Sequence, residues 1–331
     1  MVVALHITSH GIRTADIAPF SAPYWFVAIV NAFSLVAVNC FVLISGYYLS
    51  NSDIKYSRLV PLWIQVFTYS IGVYLALCML PGTAVRFSAR GLLEHCLLLM
   101  TNQYWFFKYY VLILLLAPFL NQLIAILEQK QYEHMLAVCL MLFSIIPSVN
   151  IFGDTFGAAS GYSMVWFTVL YLLAGYLRKY PMSKRHWFRM YLCCSAVVFL
   201  LRIFGSALGG AIGTIANLQR NYSSPFVVAA SVFLFLSALN GPTSYGVRTD
   251  AVIKKTSGLS FAVYLLHDHG TVSSILWNKW VNLGSYTHSA AGFISRAVGA
   301  WVMIFVCGIL TEFVLRTVYR FFLESFRTKR K

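Results

Sequence analysis

Residues 258–280, GLSFAVYLLHDHGTVSSILWNKW, decide how this chain folds. A helix needs about 20 mostly apolar residues to cross the hydrocarbon of a bilayer, and this stretch supplies them. Yet His267, Asp268 and His269 sit near its middle. Ionisable side chains at bilayer depth are costly and normally face a protein interior or a water-filled cavity. The stretch therefore predicts one span of a helix bundle whose interior holds a functional site.

The rest of the chain has the composition to build such a bundle. Of 331 residues, 59% are hydrophobic and only 11% charged. That is too apolar for a surface solvated all round, and a polytopic membrane protein is expected. A net charge of +15 could suggest nucleic acid, but that needs basic residues gathered on one face, and here they are spread between apolar segments. No nucleic-acid partner is expected. The seven cysteines lie in or beside apolar runs with no metal-finger spacing, so they read as small core residues. No basic leader with a cleavage site precedes the first span, and no removable signal peptide is expected.

Hydropathy places spans at about 24–49, 59–80, 104–124, 134–150, 162–178, 188–206, 225–240, 258–280 and 292–315. Residues 1–8 are apolar but too short to cross, and read as the end of a helix that begins upstream. Counting that stub as a crossing gives an all-α transmembrane bundle of about ten helices, the first truncated, forming one domain over 1–331. The loops on one side then carry 17 of the 25 Lys and Arg, among them Lys55, Arg58, Lys254, Lys255 and Arg316. The other side carries the remaining 8: Arg13, Arg86, Arg90, Lys108, Arg202, Arg220, Lys279 and Arg296. By the positive-inside rule the first set is cytoplasmic, with both termini inside. Gly91 to Met100 reads as a short amphipathic helix at the outer interface.

Four groups of residues could carry chemistry. His6 ends an apolar run and could take a proton near neutral pH, or simply bond a carbonyl at the interface. Tyr264, His267 and Asp268 are spaced to share one helical face, and an Asp–His pair can orient a proton acceptor. His269 falls on another face, so a metal site lacks ligands and none is expected. Ser45 and Gly46 let a helix or a thin ligand approach the backbone. Lys55 and Arg58 suit phosphates or serve topology alone. Glu94 and His95 read as solvated at the interface, and Glu312 with Arg316 as a structural i,i+4 pair.

Several elements occur in one order: the run ending in His6, FVLISGYYL at 41–49, RLVPLW at 58–63, YWFFKYYVLILLLAPFLN at 104–121 and SGLSFAVYLLHDH at 257–269. Together they resemble acyltransferase family 3, integral membrane enzymes that include bacterial O-acetyltransferases of exopolysaccharide and lipopolysaccharide. The resemblance covers nearly the whole chain. In that family an Arg and a His ten residues apart on the first helix are implicated in transfer; His6 matches the His, and the Arg would lie before Met1. It implies an acyl-CoA donor, most simply acetyl-CoA, entering from the cytoplasm with its phosphates near Lys55 and Arg58 and its arm passing Ser45 and Gly46. The acceptor would be a hydroxyl of a cell-envelope glycan or glycolipid. His6 would be the general base, and Ser45, Tyr264 or His267 would donate to the thioester oxygen. The implied location is the cytoplasmic (inner) membrane. Two other readings fit the same residues: a carrier of a glycan or lipid precursor with a His/Asp proton relay, and a non-catalytic fragment.

Overall fold

The computed structural model describes residues 1–12, 16–52, 56–154, 156–183 and 185–328. The described chain is helical without strands. In order it runs α1 (Val2–Ser9), α2 (Ala22–Ser34), α3 (Ala37–Leu49), α4 (Leu59–Met79), α5 (Ala89–Cys96), α6 (Trp105–Ile126), α7 (Gln129–Leu140), α8 (Ile146–Val149) and α9 (Met164–Lys179). Then come α10 (Trp187–Leu208), α11 (Gly210–Leu218), α12 (Pro225–Leu239), α13 (Val247–His267), α14 (Gly270–Ile275) and α15 (Ala290–Thr328).

All nine expected spans are occupied by helices. Among the described residues six segments are long and apolar enough to cross a membrane by themselves. The other three are short for the task. At 1.5 Å per residue, α9 with 16 residues and α12 with 15 fall below the roughly 30 Å of hydrocarbon, and the 258–280 stretch is broken between α13 and α14. The 24–49 span is interrupted by a turn at Leu35 and Val36, so α2 and α3 are two rods within one apolar run. The amphipathic helix expected at 91–100 forms earlier and shorter, over Ala89–Cys96 as α5, capped by Ser88, whose hydroxyl accepts from the Gly91 amide; residues 97–100 turn instead.

Contacts divide the chain into two compact units. The first comprises Met1–Leu5, Trp25–Leu62 and Trp105–Gly241. In it α3 packs on α9 and α12, and α10 on α12. Asn39, fully buried on α3, donates to the Tyr222 carbonyl at 2.8 Å and accepts from the Trp166 indole at 3.2 Å. A buried amide in apolar surroundings is tolerated because both ends are satisfied. Lys179 donates to the carbonyls of Ile124, Ala125 and Leu127 and so caps the C-terminal end of α6, where a cation complements the helix dipole.

The second unit comprises His6–Tyr24, Trp63–Tyr104 and Pro242–Lys331. Its framework is the α13–α15 pair. A methyl at Gly308 would lie 2.7 Å from Val263 Cα, so the two backbones approach as closely as a glycine allows. Glu312, buried on α15, accepts from Tyr69 and Gln65 of α4, each at 2.9 Å, and from Arg316 at 2.7 Å. The expected i,i+4 pair is thus also the tie between α15 and α4.

Candidate active site

The site grows from the break in the 258–280 span. Helix α13 ends at His267, Asp268 is its C-cap, and His269 is the N-cap of α14, its Nδ1 accepting from the Thr271 amide at 3.3 Å. Non-helical backbone at membrane depth is tolerated where protein buries it and side chains satisfy it. Because the helix stops here, three consecutive side chains leave in different directions. His267 turns toward α1, and His269 donates from Nε2 to the Ser70 carbonyl of α4 at 3.0 Å. Asp268 takes a side-chain hydrogen bond from Tyr264 one turn back.

On α1, His6 is buried on the last turn; the amides of His10 and Gly11 bond its carbonyl at 2.7 and 3.2 Å and close the helix end. His6 Nδ1 lies 3.0 Å from His267 Nε2 and 3.5 Å from Asp268 Oδ1. The far nitrogen of His267 bonds the Val263 carbonyl. A carbonyl only accepts, so His267 carries its proton on Nδ1, and its Nε2 is a lone pair when the ring is neutral. His6 must then donate from Nδ1. Its own Nε2 is left as a lone pair, free to take a proton. The backbone of α13 thereby sets the tautomer of a base on α1, with Asp268 beside it to hold the imidazolium that forms.

Around this pair, the His10 ring meets His6 edge-on with centroids 5.0 Å apart, and Trp277 stacks on His10 at 6.4 Å. Ligand atoms of His6, His10 and Asp268 all lie within 4.8 Å of one another, near enough for one cation to touch all three. This set differs from the sequence expectation, which weighed only the 267–269 run. Its signal was the four-residue spacing of His6 and His10. His95, expected to be solvated, is buried: it stacks on Tyr74 at 4.3 Å and donates from Nδ1 to the Gly91 carbonyl at 2.6 Å. With His269 stacked on it at 5.2 Å, it fastens α5 to the break in the span.

The second unit thus brings together His6, Tyr264, His267 and Asp268. Ser45, Gly46 and Arg58 belong to the first unit. Ser45 hydrogen-bonds Tyr110. A methyl at Gly46 would lie 2.9 Å from Ala174 Cβ and 3.2 Å from Tyr171 Cα, so α9 fills the space that this glycine leaves. The close-packing alternative holds there. Leu49, at the end of the same segment, accepts from Asn121 at 2.9 Å, and Asn121 accepts from Tyr171 at 2.8 Å. Two of the sequence elements quoted above, 41–49 and 104–121, therefore meet in the fold. Arg58 ends a short 3-10 turn, Tyr56–Arg58, and Lys55 lies outside the described residues.

The profile of acyltransferase family 3, described as an acyltransferase domain, matches residues 1–312. The chain belongs to acyltransferase family 3. It is a multi-pass membrane acyltransferase, and membership decides between the enzyme and carrier readings in favour of the enzyme. No curated protein and no solved structure matches the chain. Within this family member, the His6–His267–Asp268 cluster is a buried group of titratable side chains in which one imidazole nitrogen can accept a proton.

Proposed function

We propose that this family member moves an acyl group, acetyl in the simplest case, from cytoplasmic acyl-CoA to a hydroxyl of a cell-envelope glycan or glycolipid in the inner membrane. One observation carries the reading: the 3.0 Å contact of His6 Nδ1 with His267 Nε2, the latter ring locked by the Val263 carbonyl. His6 Nε2 takes the proton of the acceptor hydroxyl as its oxygen attacks the thioester carbon. The carbon–sulfur bond then breaks, and the His6 imidazolium returns the proton to the departing thiolate. Catalysis of this kind contributes about 10²–10⁴-fold. In this tautomer His267 has no proton left for a developing oxyanion, so its role moves from oxyanion donor to positioning residue. Tyr264 is left as the candidate donor, and it would act by turning its single hydroxyl proton from Asp268 to the oxyanion. The donor is assigned to the segment holding Ser45, Lys55 and Arg58, whose cations suit its phosphates.

Membranes containing the protein, incubated with radiolabelled acetyl-CoA and envelope glycan, test this directly. Label in the glycan with release of an equal amount of CoA is expected. Label no higher than in membranes lacking the protein would overturn the assignment, as would acetyl-CoA hydrolysis without glycan labelling.

A further inference from the structure

Next to the catalytic cluster, the second unit holds a half-open cavity of about 1040 Å³ that the reaction as described does not use. Its walls are α4, α13, α14 with the following π-helical turn, and α15, and they are almost wholly apolar. His267 is among the lining residues, and so are Lys279 and Arg296, both exposed. The volume is at the upper end of the range for small-molecule and cofactor sites.

The two cations are what the apolar walls leave unexplained. Lys279 Nζ bonds the Gly82 carbonyl at 3.3 Å, and Arg296 bonds the carbonyls of Val281 and Trp280, with its guanidinium over Tyr286. Both retain donors beyond these, since an ammonium has three and a guanidinium five. Among the described residues neither has a carboxylate partner. Topology does not call for them either. They stand in the sparse set of basic residues that the positive-inside count assigns to the outer side. An acyl chain of the donor would fit the walls but has no charge at its far end to meet them.

We propose that this cavity binds the acceptor as a lipid: the hydrocarbon tail of a single anionic amphiphile, a polyprenyl phosphate or pyrophosphate, fills it. The phosphate sits on Lys279 and Arg296, and the sugar to be acylated hangs from that phosphate beside His6. This rests on the proposed acyl transfer and narrows its acceptor from glycan or glycolipid to a lipid-linked sugar. Cations presented over an apolar slot recognise such a molecule by both of its ends.

The test is binding of a long-chain polyprenyl phosphate to the purified full chain in detergent, read by native mass spectrometry, with uncharged polyprenol, phosphatidylglycerol and inorganic phosphate as competitors. One polyprenyl phosphate per chain is expected, held at least about tenfold more tightly than polyprenol or phosphatidylglycerol, a difference of about 1.4 kcal/mol. Lys279→Gln should weaken it toward the affinity of polyprenol. Gly299→Trp should abolish binding of both, because a side chain at Gly299 meets nothing within 4 Å and grows into the cavity it lines. Arg296→Gln removes backbone anchors as well, so Lys279 and Gly299 carry the test. Equal binding of phosphatidylglycerol means bulk lipid fills the space and overturns the proposal. So does equal binding of polyprenol, or displacement by inorganic phosphate alone. Acetyl transfer to soluble glycan with no polyprenyl phosphate bound would sink this inference and leave the proposed function standing. Tight, cation-dependent binding without any transfer would do the reverse.

Discussion

The unit of chemistry here is a nitrogen lone pair whose position is fixed by a chain of three hydrogen-bonding groups. Val263 offers a carbonyl to His267, His267 offers a lone pair to His6, and the other nitrogen of His6 is the proton acceptor proposed above. Asp268, 3.5 Å from the donating nitrogen of His6, matters most when that ring is charged. Asp268→Asn keeps the shape and removes the charge, so initial rates of acyl transfer at equal membrane abundance should fall at least about tenfold, equivalent to about 1.4 kcal/mol of transition-state stabilisation. An unchanged rate would make the carboxylate structural. The His6–His10–Asp268 set supplies a second check. If His6 is a base and not a ligand, exhaustive chelation leaves the rate as it was; loss on chelation with recovery on adding zinc would turn the cluster into a metal centre. His6, Tyr264, His267 and Asp268 were legible in the sequence because charges stand out in an apolar span. The partner of each nitrogen was not, since His6 and His267 are separated by most of the chain and nothing local encodes their meeting. The burial of His95 is hidden in the sequence for the same reason: it lies on a short polar-faced helix, and the Tyr74 ring that covers it comes from α4.

At the level of elements, the site depends on where helices stop and how tightly they pack. The positions of the spans could be read from hydropathy, but the turn at Leu35–Val36 has neither glycine nor proline to announce it. The end of α13 at His267 likewise emerges only once Asp268 and His269 find partners outside the helix. Gly46 shows the converse, a small residue whose neighbour, Ala174, no local pattern identifies. The α13–α15 contact offers a direct test, because Val263 both meets Gly308 and anchors His267. Gly308→Ala forces the helices apart, so thermal unfolding in detergent should show a loss of about 1–3 kcal/mol, and transfer should fall with it. A variant as stable and active as the parent would mean that the contact has slack. Glu312→Ala leaves the half-buried Gln65 amide and the buried Tyr69 hydroxyl without their acceptor, at a cost of about 1–3 kcal/mol for the buried hydroxyl. The same unfolding experiment reads it, and a change under about half a kcal/mol would contradict the tie between α15 and α4.

For the whole molecule, composition and the order of short motifs were enough to place the chain in its family, which then matched over residues 1–312. The division into two compact units was not visible in the sequence, since neither unit is continuous: each draws its helices from early and late segments. The positive-inside count predicts a sidedness that has a plain check. In intact cells carrying an otherwise cysteine-free chain, Ser285→Cys should react with an impermeant maleimide, and Lys254→Cys only after permeabilisation. The opposite pattern would place the acyl-CoA segment outside and invert the proposed reaction. The proposed chemistry of the whole molecule stands or falls on His6. The most direct measurement is the rate of acyl transfer from labelled acetyl-CoA by His6→Gln against the parent chain, at matched abundance in membranes. A fall of at least about 10²-fold is predicted for loss of the general base, and a rate equal to the parent's would contradict the account.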